Sequence, residues 1–250
     1  MLASRRLAFV LLLCVVALLA FVARRVAGDV HTATYLGNKI CLACHLALEK
    51  EEMQAYQQSP HAAAKPAPGA QGASLYRYVT GLKDDGTFAN AGVGCETCHG
   101  PGSDHMKDVK DKSALVNPKN LPQTKPAMVC GQCHATGKTK DGLDYPKGFR
   151  PGDDLSALLT LDQGASGKFA AFNEWQTSVH ATSGVLCITC HDPHGGGDKM
   201  LRKQGDALCL DCHVEQGGGK GKPCSTPPAE REGKSCAACH MPKGKHTFTY

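Results

Sequence analysis

Two cysteines three positions apart, with a histidine directly after the second, form a compact ligand set at CLACH (Cys41–His45). Such a set suits three chemistries: half a zinc site, a redox dithiol, or the attachment point of a haem. Repetition decides between them. The pattern returns at Cys95–His99, Cys130–His134, Cys187–His191, Cys209–His213 and Cys236–His240, so every Cys-x-x-Cys in the chain is followed by histidine. Zinc has no need of an invariant histidine at that position, and a thioredoxin-like dithiol comes within a strand–helix context and usually only once. Two thiols one helical turn apart can instead add to the two vinyl groups of one haem, while the adjacent histidine reaches the iron as proximal ligand. The expected cofactors are therefore six haem c groups. Cys41, Cys44, Cys95, Cys98, Cys130, Cys133, Cys187, Cys190, Cys209, Cys212, Cys236 and Cys239 would form the thioethers. The proximal ligands would be His45, His99, His134, His191, His213 and His240.

Six histidines remain once these are set aside: His31, His61, His105, His180, His194 and His246. One spare histidine per iron is the number that full bis-histidine ligation requires, and it would leave no coordination position for a substrate. His61 and His180 close parallel strings, YQQSPH and WQTSVH; His105 and His194 trail motif histidines; His246 lies near the C-terminus and His31 beside a possible cleavage site. Met53, Met106, Met128, Met200 and Met241 are fallback ligands, since methionine can replace histidine and raise the potential; most read better as packing residues. No catalytic residue is assigned.

The elements that must position these groups fall into a repeat. CLACH, YQQSPH and GVGCETCHGPGSDHM are answered in order by CGQCH, WQTSVH and GVLCITCHDPHGGGDKM. This reads as a duplicated two-haem module, Lys39 to Met106 and Met128 to Met200, followed by a shorter appendage with the last two motifs. The expected division is 1–28 as signal peptide or anchor, 29–127 and 128–206 as two-haem modules, and 207–250 as a C-terminal two-haem segment. Breaker-rich linkers run from Ala62 to Ser74 and from Gly217 to Ser235. Helical character is expected over Leu46–Gln58, Leu155–Leu161 and Gly167–Ser178, and only 75–80 looks strand-like. The predicted fold is mostly irregular, with short α-helices wrapped around covalently bound haems and negligible β-structure.

Composition agrees with a cofactor-filled interior. Aromatic residues make up 6% of the 250 residues, against 28 glycines and 14 prolines. The N-terminus carries Arg5 and Arg6, an uncharged run from Leu7 to Ala23, then Arg24 and Arg25. That pattern fits either a cleaved signal peptide or a retained membrane anchor, and both send the rest of the chain across a membrane. Without those four arginines, 24 basic residues face 23 acidic ones, and no basic run suggests a nucleic-acid face. Cys14 lies in the apolar run without a lipobox, and Cys224 sits alone in a linker.

The phrases CETCHGPGSDH, CITCHDPHGGG and CAACHMPKGKHTF, with the two Ser-x-His strings, resemble the multihaem c-type cytochromes. The resemblance spans about residues 36 to 250 and reaches the decahaem conduit cytochromes and relatives of the hydroxylamine-oxidoreductase group. It implies bis-histidine haems in close contact, passing electrons in respiration. The first expected function is a hexahaem electron carrier, periplasmic and either soluble or tethered to the inner membrane. Its redox partners would be proteins such as a quinol dehydrogenase or another cytochrome. A reductase or oxidase of a small nitrogen or sulfur compound would need one open iron. A subunit of an extracellular filament would self-assemble, with distal histidines serving a neighbouring copy.

Overall fold

The computed structural model describes residues 33–195, 197–213, 230 and 232–248. The candidate signal or anchor, His31, Cys14 and Cys224 lie outside them, as does most of the Gly217–Ser235 linker. Short helices joined by turns dominate, with two antiparallel two-stranded ribbons, Val79–Thr80 with Asn90–Ala91 and Gly137–Lys138 with Thr160–Leu161. The mostly irregular, helix-bearing architecture predicted from the sequence is what is found. No helix among the described residues is long and apolar enough to cross a membrane.

All six motifs lie wholly or partly on helices. Asn38–Leu48 and Lys125–His134 contain the first and third motifs; Cys95–His99, Cys187–Cys190 and Cys236–His240 begin on the first cysteine of the second, fourth and sixth. Ala207–Leu210 ends within the fifth, leaving Cys212 in a turn. A helical turn is what the chemistry needs, because positions i, i+3 and i+4 share one face. The first four motif helices pack in pairs: Asn38–Leu48 on Cys95–His99, and Lys125–His134 on Cys187–Cys190.

The second unit also carries a side-chain core of Ala127, Ala135, Phe149, Leu155, Leu159, Phe172 and Trp175, with Cys187 packed against it. Gly131, inside the third motif, permits this packing. A Cβ there would come within 2.7 Å of Leu155 and 2.9 Å of Phe172.

The expected element limits shift in four places. The helix expected over Leu46–Gln58 starts at Asn38, breaks at Glu49 and resumes as Lys50–Gln57, which buries Met53 and Tyr56. Leu155–Leu161 is helical only to Leu158, after which Thr160 and Leu161 pair with the strand that follows the third motif. The stretch 75–80 begins inside the helix Ala73–Tyr76 and becomes strand only at Val79. The Gly167–Ser178 segment narrows to a helix over Ala171–Gln176.

The duplicated strings take the same local structure. Ser59 and Ser178 each cap a one-turn helix, Pro60–Ala63 and Val179–Thr182, by accepting the backbone N–H three residues on. Tyr56 OH donates to the Val93 carbonyl at 2.8 Å, and Trp175 Nε1 donates to the Val185 carbonyl at 2.8 Å. These valines stand two residues before the second cysteine pair of each unit, so one aromatic side chain fixes the spacing between each Ser-x-His and its neighbouring motif.

Candidate functional site

The twelve motif cysteines are free thiols, standing where thioether sulfurs would form. Cys44 and Cys239, in the first and last motifs, are exposed, and the other ten are partly buried. The Cys41 thiol contacts Cys95, Cys130 contacts Cys187, and Cys209 contacts Cys236. The first cysteines of paired motifs thus meet in all three units, including the short C-terminal one. Between units, Cys98 lies close enough to Cys133 to interact electrostatically, and Cys190 to Cys209 and Cys212. Burial, with the neighbouring thiol, pushes Cys98 up to about 12, and burial alone does the same for Cys133, so both are neutral in apolar surroundings. The six attachment points therefore follow one another in chain order.

Four motif histidines each face a histidine from outside the motifs. Ring centroids are 6.3 Å apart for His134 and His61, 6.1 Å for His99 and His194, 6.1 Å for His191 and His246, and 6.0 Å for His213 and His180. A metal–imidazole bond of about 2.0 Å plus about 1.1 Å from nitrogen to ring centre, taken on both sides of one ion, gives about 6.2 Å. The residues present therefore fit an iron held between two imidazoles at each of these four places. Burial lowers the pKa of His61 to about 4, helped by His134, and burial likewise lowers His99, His134, His180 and His246. These imidazoles are neutral, and a neutral ring keeps the lone pair that a metal needs.

The pairing follows a rule the sequence did not reveal. Each Ser-x-His reaches forward to the first motif of the next unit, His61 to His134 and His180 to His213. The trailing His194 and the C-terminal His246 reach back to the second motif of the preceding unit, His194 to His99 and His246 to His191. His45 and His105 have no such ring partner among the described residues. His45 Nδ1 meets Glu49 at 2.8 Å, and the buried Nδ1 of His105 has no hydrogen-bond partner. His31 lies outside the described residues. Of the fallback methionines, Met53 is buried, Met128 packs against the second unit's core and Met106 is exposed.

Side chains between the motif cysteines also carry structure, which the motif reading passed over. Glu96 is 2% exposed, and its carboxylate accepts the backbone N–H groups of Leu36, Gly37 and Gly102 at 2.7–3.0 Å. Gln132 Nε2 donates to the Thr97 carbonyl at 3.0 Å, joining the third motif to the second. Arg77 donates to the carbonyls of Cys133 and Ala135 at 2.9 and 2.8 Å, covering the C-terminal end of the Lys125–His134 helix. A run of acidic, amide and basic residues at those positions gives no local pattern from which these long-range contacts could have been foreseen.

Comparison with known proteins leads to the multihaem cytochromes as well. A family model described as a doubled CXXCH motif matches residues 180–218. The chain is 26% identical over 174 residues to the multiheme cytochrome MtrA of Shewanella baltica, a match taking in 69% of this chain and 42% of that protein. The chain thus spans less than half the length of this curated relative. Among solved structures, the outer cell wall cytochrome OcwA superposes with a TM-score of 0.61 at 20% identity, covering 86% of this chain and 79% of the other, which is a likeness of fold. Six Cys-x-x-Cys-His motifs, four facing histidine pairs at iron-spanning distance and these matches agree: the chain is a multihaem c-type cytochrome.

Proposed function

We propose that the chain is a hexahaem electron relay, and the observation that carries this reading is the set of four facing histidine pairs. Haem c, held at each motif, supplies the one-electron chemistry. The protein's part would be to hold four of the irons between two imidazoles and to order the attachment points from Cys41 to Cys239. His61, His180, His194 and His246 are the distal ligands of the third, fifth, second and fourth motifs. A histidine on both sides leaves those irons no position for substrate, which favours transfer over catalysis. The contacts between first cysteines support division into three two-site units, at 29–127, 128–206 and 207–250, tied together by exchanged histidines. The exposed Cys44 and Cys239 lie at the two ends of the series, where partner proteins could dock.

Export, to the periplasm or beyond it, is the proposed location, with a quinol dehydrogenase or another cytochrome as donor or acceptor. A second reading attaches to the first motif. His45 faces no second histidine among the described residues, which favours an iron whose distal side is supplied by His31, by another copy of the chain or by a small substrate.

The spectrum of the reduced holo-protein before and after carbon monoxide, with low-temperature EPR of the oxidised form, tests both readings. Four or more low-spin haems untouched by carbon monoxide are expected, and His61→Ala should convert one further haem to a carbon-monoxide-binding, high-spin state. A His61→Ala protein with the wild-type spectrum would overturn the ligand assignment. A shift worth one haem in the wild type would bring the open-iron reading forward for the first motif.

A further inference from the structure

The imidazoles read as iron ligands differ in what their Nδ1 meets. His99, His134 and His191 each place Nδ1 on a backbone carbonyl, of Val116, Lys168 and Lys199, at 2.7–3.0 Å. His61 is hydrogen-bonded to the backbone of Pro193. His45 and His194 instead meet carboxylates. Glu49 Oε2 lies 2.8 Å from His45 Nδ1, and Glu52 Oε1 hydrogen-bonds His194 Nδ1 across 142 residues of sequence. Glu49 and Glu52 come from the same stretch, where the chain breaks at Glu49 and starts the Lys50–Gln57 helix. That break lets two carboxylates three residues apart reach ligands of two different haems.

We propose that Glu49 and Glu52 are positioning residues that lower the potentials of the haems at the first and second motifs relative to the third and fourth, making the N-terminal end of the relay its electron-donating side. This rests on the reading of His45 and His194 as iron ligands. A carboxylate accepting the Nδ1–H draws the proton toward itself and makes the imidazole a stronger donor, whereas a neutral carbonyl does so less. The ferric state carries one more positive charge than the ferrous state, so a more electron-rich ligand favours ferric iron and lowers the potential. At the fourth motif Glu174 is held differently. It accepts the His246 backbone N–H at 2.8 Å, and its carboxylate stands 3.7 Å from Nδ1, beyond hydrogen-bond reach. The carboxylate-assisted ligands therefore fall on adjacent haems at one end of the series, and the carbonyl-assisted pair follows.

The test is a potentiometric titration of the full-length holo-protein, followed by visible absorption and EPR, for the wild type and for Glu49→Gln, Glu52→Gln and Glu51→Gln. Glu51 is an exposed neighbour on the same helix and controls for the loss of a nearby charge. The expected result is a positive displacement of one couple in Glu49→Gln and of a different couple in Glu52→Gln, each with altered low-spin EPR g-values, while Glu51→Gln overlays the wild type. Curves for Glu49→Gln and Glu52→Gln that match Glu51→Gln would overturn the inference. His194→Ala separates this failure from that of the ligand reading. A new high-spin haem in that variant upholds His194 as a ligand whatever the glutamates do, and a fully unchanged spectrum removes the ligand assignment itself.

Discussion

At the scale of single residues, the motif positions that carry no cofactor chemistry hold the units together. Glu96 is the clearest case, because its buried carboxylate is shared by three backbone donors from two separate segments. Truncation in Glu96→Ala strands those donors, at about 1–3 kcal/mol for each buried group left unsatisfied. The expected outcome is a clear fall in Tm, read by far-UV circular dichroism of the holo-protein, with Glu96→Gln intermediate because one oxygen acceptor remains. Gly131→Ala should also lower Tm, since its Cβ has no room beside Leu155 and Phe172. The cysteines and proximal histidines were legible in the sequence because their chemistry demands a fixed local spacing. Glu96, Gln132 and Arg77 were not, because what they do depends on partners about 35–60 residues away that no local pattern encodes.

At the scale of elements, the likeness of the YQQSPH and WQTSVH strings was readable because it is written in a capping residue. Ser59 and Ser178 each start a one-turn helix that carries a histidine, His61 or His180, as its second residue. Their serine hydroxyls are almost fully buried, at 0% and 3% residue exposure, so neither cap is replaced by water when the oxygen is removed. Ser59→Ala and Ser178→Ala should each cost about 1 kcal/mol. Because the lost bond lies within two residues of His61 or His180, each variant should also broaden the low-spin EPR signal of one haem. An unbroadened spectrum would separate the cap from ligand positioning. The helix limits were harder to read. The Leu46–Gln58 pattern conceals a break at Glu49, and the apolar end of Leu155–Leu161 serves a strand pair instead of another helical turn, since tertiary contacts decide both.

At the scale of the whole molecule, the proposed histidine exchange would leave no two-site unit complete alone. On that reading His134 takes its second ligand, His61, from the unit before it, and His191 takes His246 from the unit after it. Six spare histidines could be counted in the sequence, but which motif each one meets was not legible there. The structure places His194 and His246 beside motif histidines earlier in the chain and His61 and His180 beside later ones, and no local pattern encodes such long-range pairing. This predicts the effect of removing residues 207–250. If the units were self-contained, the truncated protein would keep its four remaining haems in their full-length spin states. With exchange, loss of His246 exposes the iron at His191, and one of the four should turn high-spin and bind carbon monoxide. His246→Ala in the full-length chain should yield the same single conversion without shortening the protein, so agreement between the two variants assigns the effect to the ligand and not to disturbed folding.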